Sequence, residues 1–318
     1  MINIYEAVAA NNRKSVVVII GFMVFATLAV YFISQAIGVY VGYEPGGLGL
    51  AGAALIISGL ISFGGYWFSD KIVLGISGAR PADKSRDYLF FTVAENLAIG
   101  TGLPTPKLYV IQDTAPNAFA TGRDSKHAVI CATTGLLQKL DRTQLEGVIA
   151  HELSHIRHYD MRLMSIVVVL VGTVALLGDW FLRMSWYGRR SDSDRKSDQM
   201  GAIILIVGLV FAVLSPIIAQ LIQLAISRRR EFLADAGAIS ITRQPEGLIS
   251  ALRKISADHE PLEAANKATA HLYIINPFKS DSPQASRPEH RRGVDWFSGL
   301  FNTHPPVAER ITALRRMS

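Results

Sequence analysis

Four stretches of this chain contain no Asp, Glu, Lys or Arg, and they limit what it can fold into. Ser15 to Tyr43 and Gly46 to Ser69 form one pair; residues 163–178 and 199–227 form another. Crossing a bilayer core takes about 20 predominantly apolar helical residues. The first, second and fourth runs reach that length, while the third, at 16 residues, falls short. Half of the chain is hydrophobic, only 18% is charged and the mean hydropathy is +0.27. An ordinary soluble chain carries about 25% charged residues. We therefore expect a mainly α integral membrane protein with about four transmembrane helices. The expected parts are an N-terminal hairpin at 1–70, a polar part at 71–162, a second hairpin at 163–227 and a helical part at 228–318. For the second pair, an interfacial or re-entrant segment is the alternative.

The flanking charges orient the first hairpin. Arg13 and Lys14 precede it, and Lys71, Arg80, Lys84 and Arg86 follow it. The intervening loop has the single acid Glu44 and no basic residue, so the positive-inside rule puts both ends in the cytoplasm. Its apolar stretch exceeds a signal peptide's core and lacks the usual small-residue cleavage site, which reads as a retained segment. The net charge of +6 and pI near 9.4 raise the question of nucleic acid. No basic stripe with interleaved aromatics or nucleic-acid motif accompanies them, so no nucleic-acid partner is expected. A lipid bilayer with an anionic surface fits the basic flanks better. Cys131 is the only cysteine and allows no internal disulfide.

Between the two pairs of apolar runs lies the sequence His151-Glu152-Leu153-Ser154-His155. Asp141 is an expected N-cap, with Gln144 three residues on, opening a helix that runs to about His158. Residues four apart share a helical face, so His151 and His155 can aim two imidazoles at one metal ion. Glu152 then stands where it can take a proton from a water at that metal, as the general base of a metalloprotease. Alone, the short pattern also fits an exposed helix with two histidines. His158 reads as a cation at the helix C-terminus. Upstream, 87–99 reads as a helix and Lys107–Ile111 as a strand. Asn117–Thr121 and Ala128–Ala132 flank the turn-rich Gly122–Ser125 as a β-hairpin.

Catalytic zinc of this type takes one more protein ligand, usually a carboxylate. Glu231 is the candidate, with Asp235 four residues on to support a ligand histidine. The alternative is that both acids only balance Arg228, Arg229 and Arg230. If both runs between His155 and Glu231 cross the membrane, the chain returns to its starting side and the three ligands share one compartment.

These blocks resemble the HtpX family of membrane zinc proteases. The resemblance rests on His151–His155 followed by Asp160-Met161, on Arg229 to Gly237, on Asn117 to Gly122, and on Thr303 to Pro306 with Glu309 to Ile311. It covers nearly the whole chain, leaving out the charged loop at 189–198 and the Pro/Arg-rich stretch at 280–293. It implies a gluzincin-like α+β protease domain, one Zn²⁺ per chain, and a multi-pass protein of the bacterial inner membrane with its site facing the cytoplasm. It implies hydrolysis of unfolded or damaged membrane proteins in quality control. It also implies His304 as an oxyanion stabiliser, with Arg310 as a second contributor; the alternatives are a loop histidine beside Pro305 and Pro306, and a structural ion-pair partner for Arg310. Asn117, Ala118 and Phe119 open an apparent edge strand to which an extended substrate could add, and the matching family block contacts substrate backbone; a plain turn asparagine is the alternative at Asn117. The related CAAX prenyl proteases share the metal motifs but carry more membrane helices, and rank second. A scaffold with a structural metal would need no base at Glu152. A transporter would need ionisable groups within the apolar runs, and the first, second and fourth have none.

Overall fold

The computed structural model describes residues 4–41, 47–170, 172, 228–266, 269–278 and 305–317. His304, the run at 199–227, the loop at 189–198 and the stretch at 280–293 lie outside them, as does nearly all of the third run beyond Leu170. Helix α1 (Ile4–Val41) and helix α2 (Gly47–Trp67) carry the first two apolar runs and pack on each other. Val16, Val17, Ile20, Val24 and Leu28 on α1 are exposed, as are Leu55, Ile56, Leu60 and Phe63 on α2. Among the described residues, no helix is long and apolar enough to cross a membrane. The four expected crossings are therefore not established by the fold.

A short helix α3 (Ser69–Ile76) leads into a four-stranded mixed sheet of β1 (Arg80–Pro81), β2 (Lys107–Ile111), β3 (Ala118–Thr121) and β4 (Val129–Thr133), in the order β1-β2-β4-β3. The expected hairpin is present: β3 runs antiparallel to β4, with Ala118 opposite Ala132 and Thr121 opposite Val129. β2 pairs parallel with β4, from Lys107 opposite Val129 to Ile111 opposite Thr133. Side chains alternate across a strand. Leu108, Val110, Ala118, Ala120, Ile130 and Ala132 thus join one core, while Ile111, Phe119, Val129 and Cys131 join a second on the other face. Every residue of β4 is buried, as a central strand covered on both faces must be.

Helix α4 (Tyr88–Thr101) and the short α5 (Thr134–Lys139) precede the central helix α6 (Arg142–His158). Asp141 and Gln144 close a reciprocal capping box at its start. At its end Tyr159 adopts the left-handed conformation, φ 59°, and the chain turns sharply into a further helical stretch at 160–170. α6 is buried without a break from Gly147 to Ile156. Its polar side chains must consequently find partners inside the protein. Around it lie α4, β3, α7 (Arg228–Thr242) and α8 (Pro245–Ala257), with α9 (Val307–Arg315) packed behind α7 and α8.

Two glycine contacts set the helix spacing. A Cβ on Gly147 would lie 2.6 Å from the Leu248 backbone nitrogen, and one on Gly247 would lie 2.7 Å from the Thr143 carbonyl oxygen. α6 and α8 therefore cross at near backbone contact. Gly147→Ala tests this: helix propensity alone favours alanine by ~1 kcal/mol, whereas overpacking a tight crossing costs about 1–3 kcal/mol. We expect a net loss of stability, read as a lower denaturation midpoint in detergent. A raised midpoint would mean that the crossing relaxes freely.

Candidate metal centre

His151 and His155 lie one turn apart on α6, and Glu231 projects from the first turn of α7. A Cβ on Gly237 would collide with the Ser154 hydroxyl, so only a glycine lets α7 approach α6 this closely. Glu231 is thereby set opposite the histidines. The His151 and His155 Nε2 atoms are 3.2 Å apart. Glu231 places Oε2 3.7 Å from His151 Nε2 and Oε1 3.6 Å from His155 Nε2. Tetrahedral ligands bonded to zinc at ~2.0–2.1 Å sit about 3.3 Å from one another. The three buried donors fit an ion of that size with small adjustments, and they form the one such His/Cys/Asp/Glu group among the described residues.

The other side of each imidazole is also fixed. His151 Nδ1 lies 3.0 Å from Asp235 Oδ1, and His155 Nδ1 lies 3.1 Å from Asp160 Oδ2. A carboxylate there accepts a hydrogen bond from Nδ1–H, which keeps the proton on Nδ1 and leaves the Nε2 lone pair for a metal. The expected support from Asp235 thus has a counterpart at Asp160. Its partner lies only five residues away, but the left-handed turn at Tyr159 folds Asp160 back onto His155, and no helical spacing signals that.

Charge in the site is finely divided. Burial holds His151 neutral, with its pKa below the ordinary histidine range despite the Asp235 hydrogen bond. Burial also opposes charge on His155, but the Asp160 hydrogen bond and the nearby Glu231 outweigh it and raise its pKa to about 9. Burial raises Glu152 to about 7; its carboxylate is 2% exposed and accepts a hydrogen bond from the Ala120 N–H.

Arg310, expected to face a developing oxyanion, is fully buried behind the ligands. Its Nε and Nη2 grip both oxygens of Asp235, at 2.9 and 2.7 Å, and its Nη1 donates to the Ile274 carbonyl at 2.9 Å. Burial would raise the Asp235 pKa, but Arg310 and His151 hold it below the usual carboxylate range. Arg310 is therefore a positioning residue for Asp235 and, through it, for His151. His158 also departs from expectation: it is buried beside Ser154, and burial lowers its pKa, so it carries no helix-end charge.

β3 lies at the sheet edge nearest the ligands, but Asn117 and Ala118 do not present a bare edge. The Ile274 N–H donates to the Ala118 carbonyl at 2.9 Å, and the Asn117 side-chain amide donates to the Ile275 carbonyl at 3.0 Å. Phe119 turns into the second core against Tyr273, with ring centroids 5.1 Å apart, and offers no side chain to a substrate. By the two-residue alternation, Ala120 is the next residue to face the outer edge.

The sequence model of peptidase family M48 matches residues 90–318. The protease HtpX homologue of Dictyoglomus thermophilum is 44% identical over 313 residues, spanning 98% of this chain and 94% of that protein. The homologue of Streptococcus uberis is 39% identical over 319 residues, spanning 99% of this chain and the full length of that protein. Among solved structures, the crystal structure of S. mikatae Ste24p aligns with a TM-score of 0.47 and 19% identity, covering 81% of this chain and 57% of that longer one. With a family model over most of its length and relatives alike from end to end, the chain belongs to the HtpX-type metalloproteases of peptidase family M48.

Proposed function

We propose that this metalloprotease is a zinc-dependent endopeptidase of the bacterial inner membrane, with its site on the cytoplasmic side. Its proposed substrates are unfolded or damaged membrane proteins. The observation that carries the reading is the convergence of the His151, His155 and Glu231 donor atoms beside the buried Glu152 carboxylate. The exposed apolar faces of α1 and α2 support membrane embedding, since soluble monomers rarely present contiguous apolar surface of that size. The direct contact of α6 with α7 supports a second excursion that leaves and returns on one side.

In this reading His151, His155 and Glu231 hold one Zn²⁺. Zinc bound there supplies Lewis acidity, which acidifies water and polarises a scissile carbonyl. Glu152 accepts the proton of the attacking water and delivers it to the departing amine, so the proton is conserved through the cycle. Its environment suits that task, because a carboxylate held near neutrality can take and return a proton at ambient pH. Asp235 and Asp160 keep both imidazoles in the tautomer that binds metal. An extended substrate would add along the outer edge beyond Ala118, at the Ala120 carbonyl, since the Ala120 N–H is held by Glu152. His304 is retained as the proposed oxyanion donor on the family resemblance alone.

Two outcomes test this. Glu152→Gln should bind zinc as wild type does while losing at least ~10³-fold in cleavage of an unfolded membrane protein in detergent; a chelator should abolish wild-type cleavage and added zinc restore it. Wild-type cleavage rates in Glu152→Gln would remove Glu152 as the base. Zinc-loaded enzyme should also lose activity on acidification. A base with a pKa near 7 is progressively protonated below it, so kcat/KM should fall about tenfold per pH unit there. The charge of zinc lowers that pKa, placing the inflection at or below about 7. Activity that rises on acidification while zinc stays bound would contradict the assignment.

A further inference from the structure

The polar start of α1 reaches the metal centre. Asn11, buried within this helix, donates its side-chain amide to Asp160 Oδ1 at 2.6 Å and to the His158 carbonyl at 3.0 Å. The second oxygen of that same Asp160 carboxylate orients His155. Arg230 also lies near Asp160, but its Nε is 3.8 Å from Oδ1, too far for a hydrogen bond to fix the carboxylate plane. Asn11 directs Oδ1, and so sets where Oδ2 points.

The neighbouring Asn12 makes a different contact. It accepts a hydrogen bond from Arg162 Nη1 at 2.9 Å, and Arg162 also donates to the Arg123 carbonyl. α1 is thus tied to the protease part at two adjacent points, of which only Asn11 leads to a metal ligand. One turn beyond Asn11 the uncharged run of α1 begins at Ser15.

We propose that Asn11 is a positioning residue for the metal. Through Asp160 it holds His155 in its ligating geometry and links the first apolar helix to the metal centre. The inference rests on the metal assignment proposed above. Partners outside the ligand set typically affect metal affinity by about 10–100-fold. Removing the Asn11 amide leaves the Asp160 carboxylate in place but unsteered, so the effect should fall near the lower end.

The test uses the full chain in detergent, with zinc affinity measured against a competing chelator and Co²⁺ spectra of the cobalt-substituted protein. Asn11→Leu, close in size but without a donor, should weaken zinc binding about tenfold and shift the cobalt absorption. Asn12→Ala should leave both at wild-type values. Should Asn11→Leu fail to fold, Asn11→Ala carries the same expectation. Unchanged affinity and spectrum in a folded Asn11 variant would overturn the proposal, even with a lowered melting temperature, because that is the mark of a purely structural contact. An equal loss in Asn12→Ala would overturn it too, by assigning the effect to helix docking. If wild type itself binds no zinc, the metal assignment fails and not merely the role of Asn11.

Discussion

The metal centre depends on the close approach of α7 to α6, which only a glycine at position 237 permits against Ser154. That contact brings Glu231 to within 3.7 Å of the two histidine donors, although the residues come from helices far apart in sequence. The crossing of α6 and α8 at Gly147 and Gly247 braces the other side. A helix as polar as α6 is buried because Asp235, Asp160 and the Ala120 N–H supply partners to His151, His155 and Glu152.

Burying so many charges is costly unless each is matched. Here Arg310 answers Asp235 with two hydrogen bonds, Asp235 answers His151, and Asp160 answers His155. Glu152 stands apart from these pairs. Burial dominates its environment and lifts it to about 7, whereas the Arg310 guanidinium draws Asp235 down. Two kinds of carboxylate result, one that fixes a ligand and one that can exchange a proton. That division is what a hydrolytic centre needs, and the difference between the two environments produces it.

Much of this was legible in the chain. Asp141 with Gln144 announced the start of α6, because a capping box is a local pattern whose partners are three residues apart. The hairpin of β3 and β4 followed from alternation around a turn-rich segment. The spacing of His151, Glu152 and His155 carries its own geometry, since a helix fixes which residues share a face. Other features left no such trace. Ile274 and Ile275 cover the β3 edge at Asn117 and Ala118 through backbone groups, which any sequence could supply. Residue type left Arg310 open to facing the reaction or to a structural ion pair, and its burial and two bonds to Asp235 favour the supporting role.

The sequence by itself determined the candidate metal-binding pair, the candidate base beside it, the candidate third ligand and the apolar runs around them. Each is a matter of residue type and short-range spacing, and a regular helix translates such spacing directly into geometry. Tertiary structure decided which groups steer those ligands. Asp160 acts on His155 only because the chain reverses at Tyr159. Asn11 acts on Asp160 only because α1 docks against the end of α6. Contacts of that kind join residues with no fixed spacing, and packing alone brings their atoms within hydrogen-bonding distance.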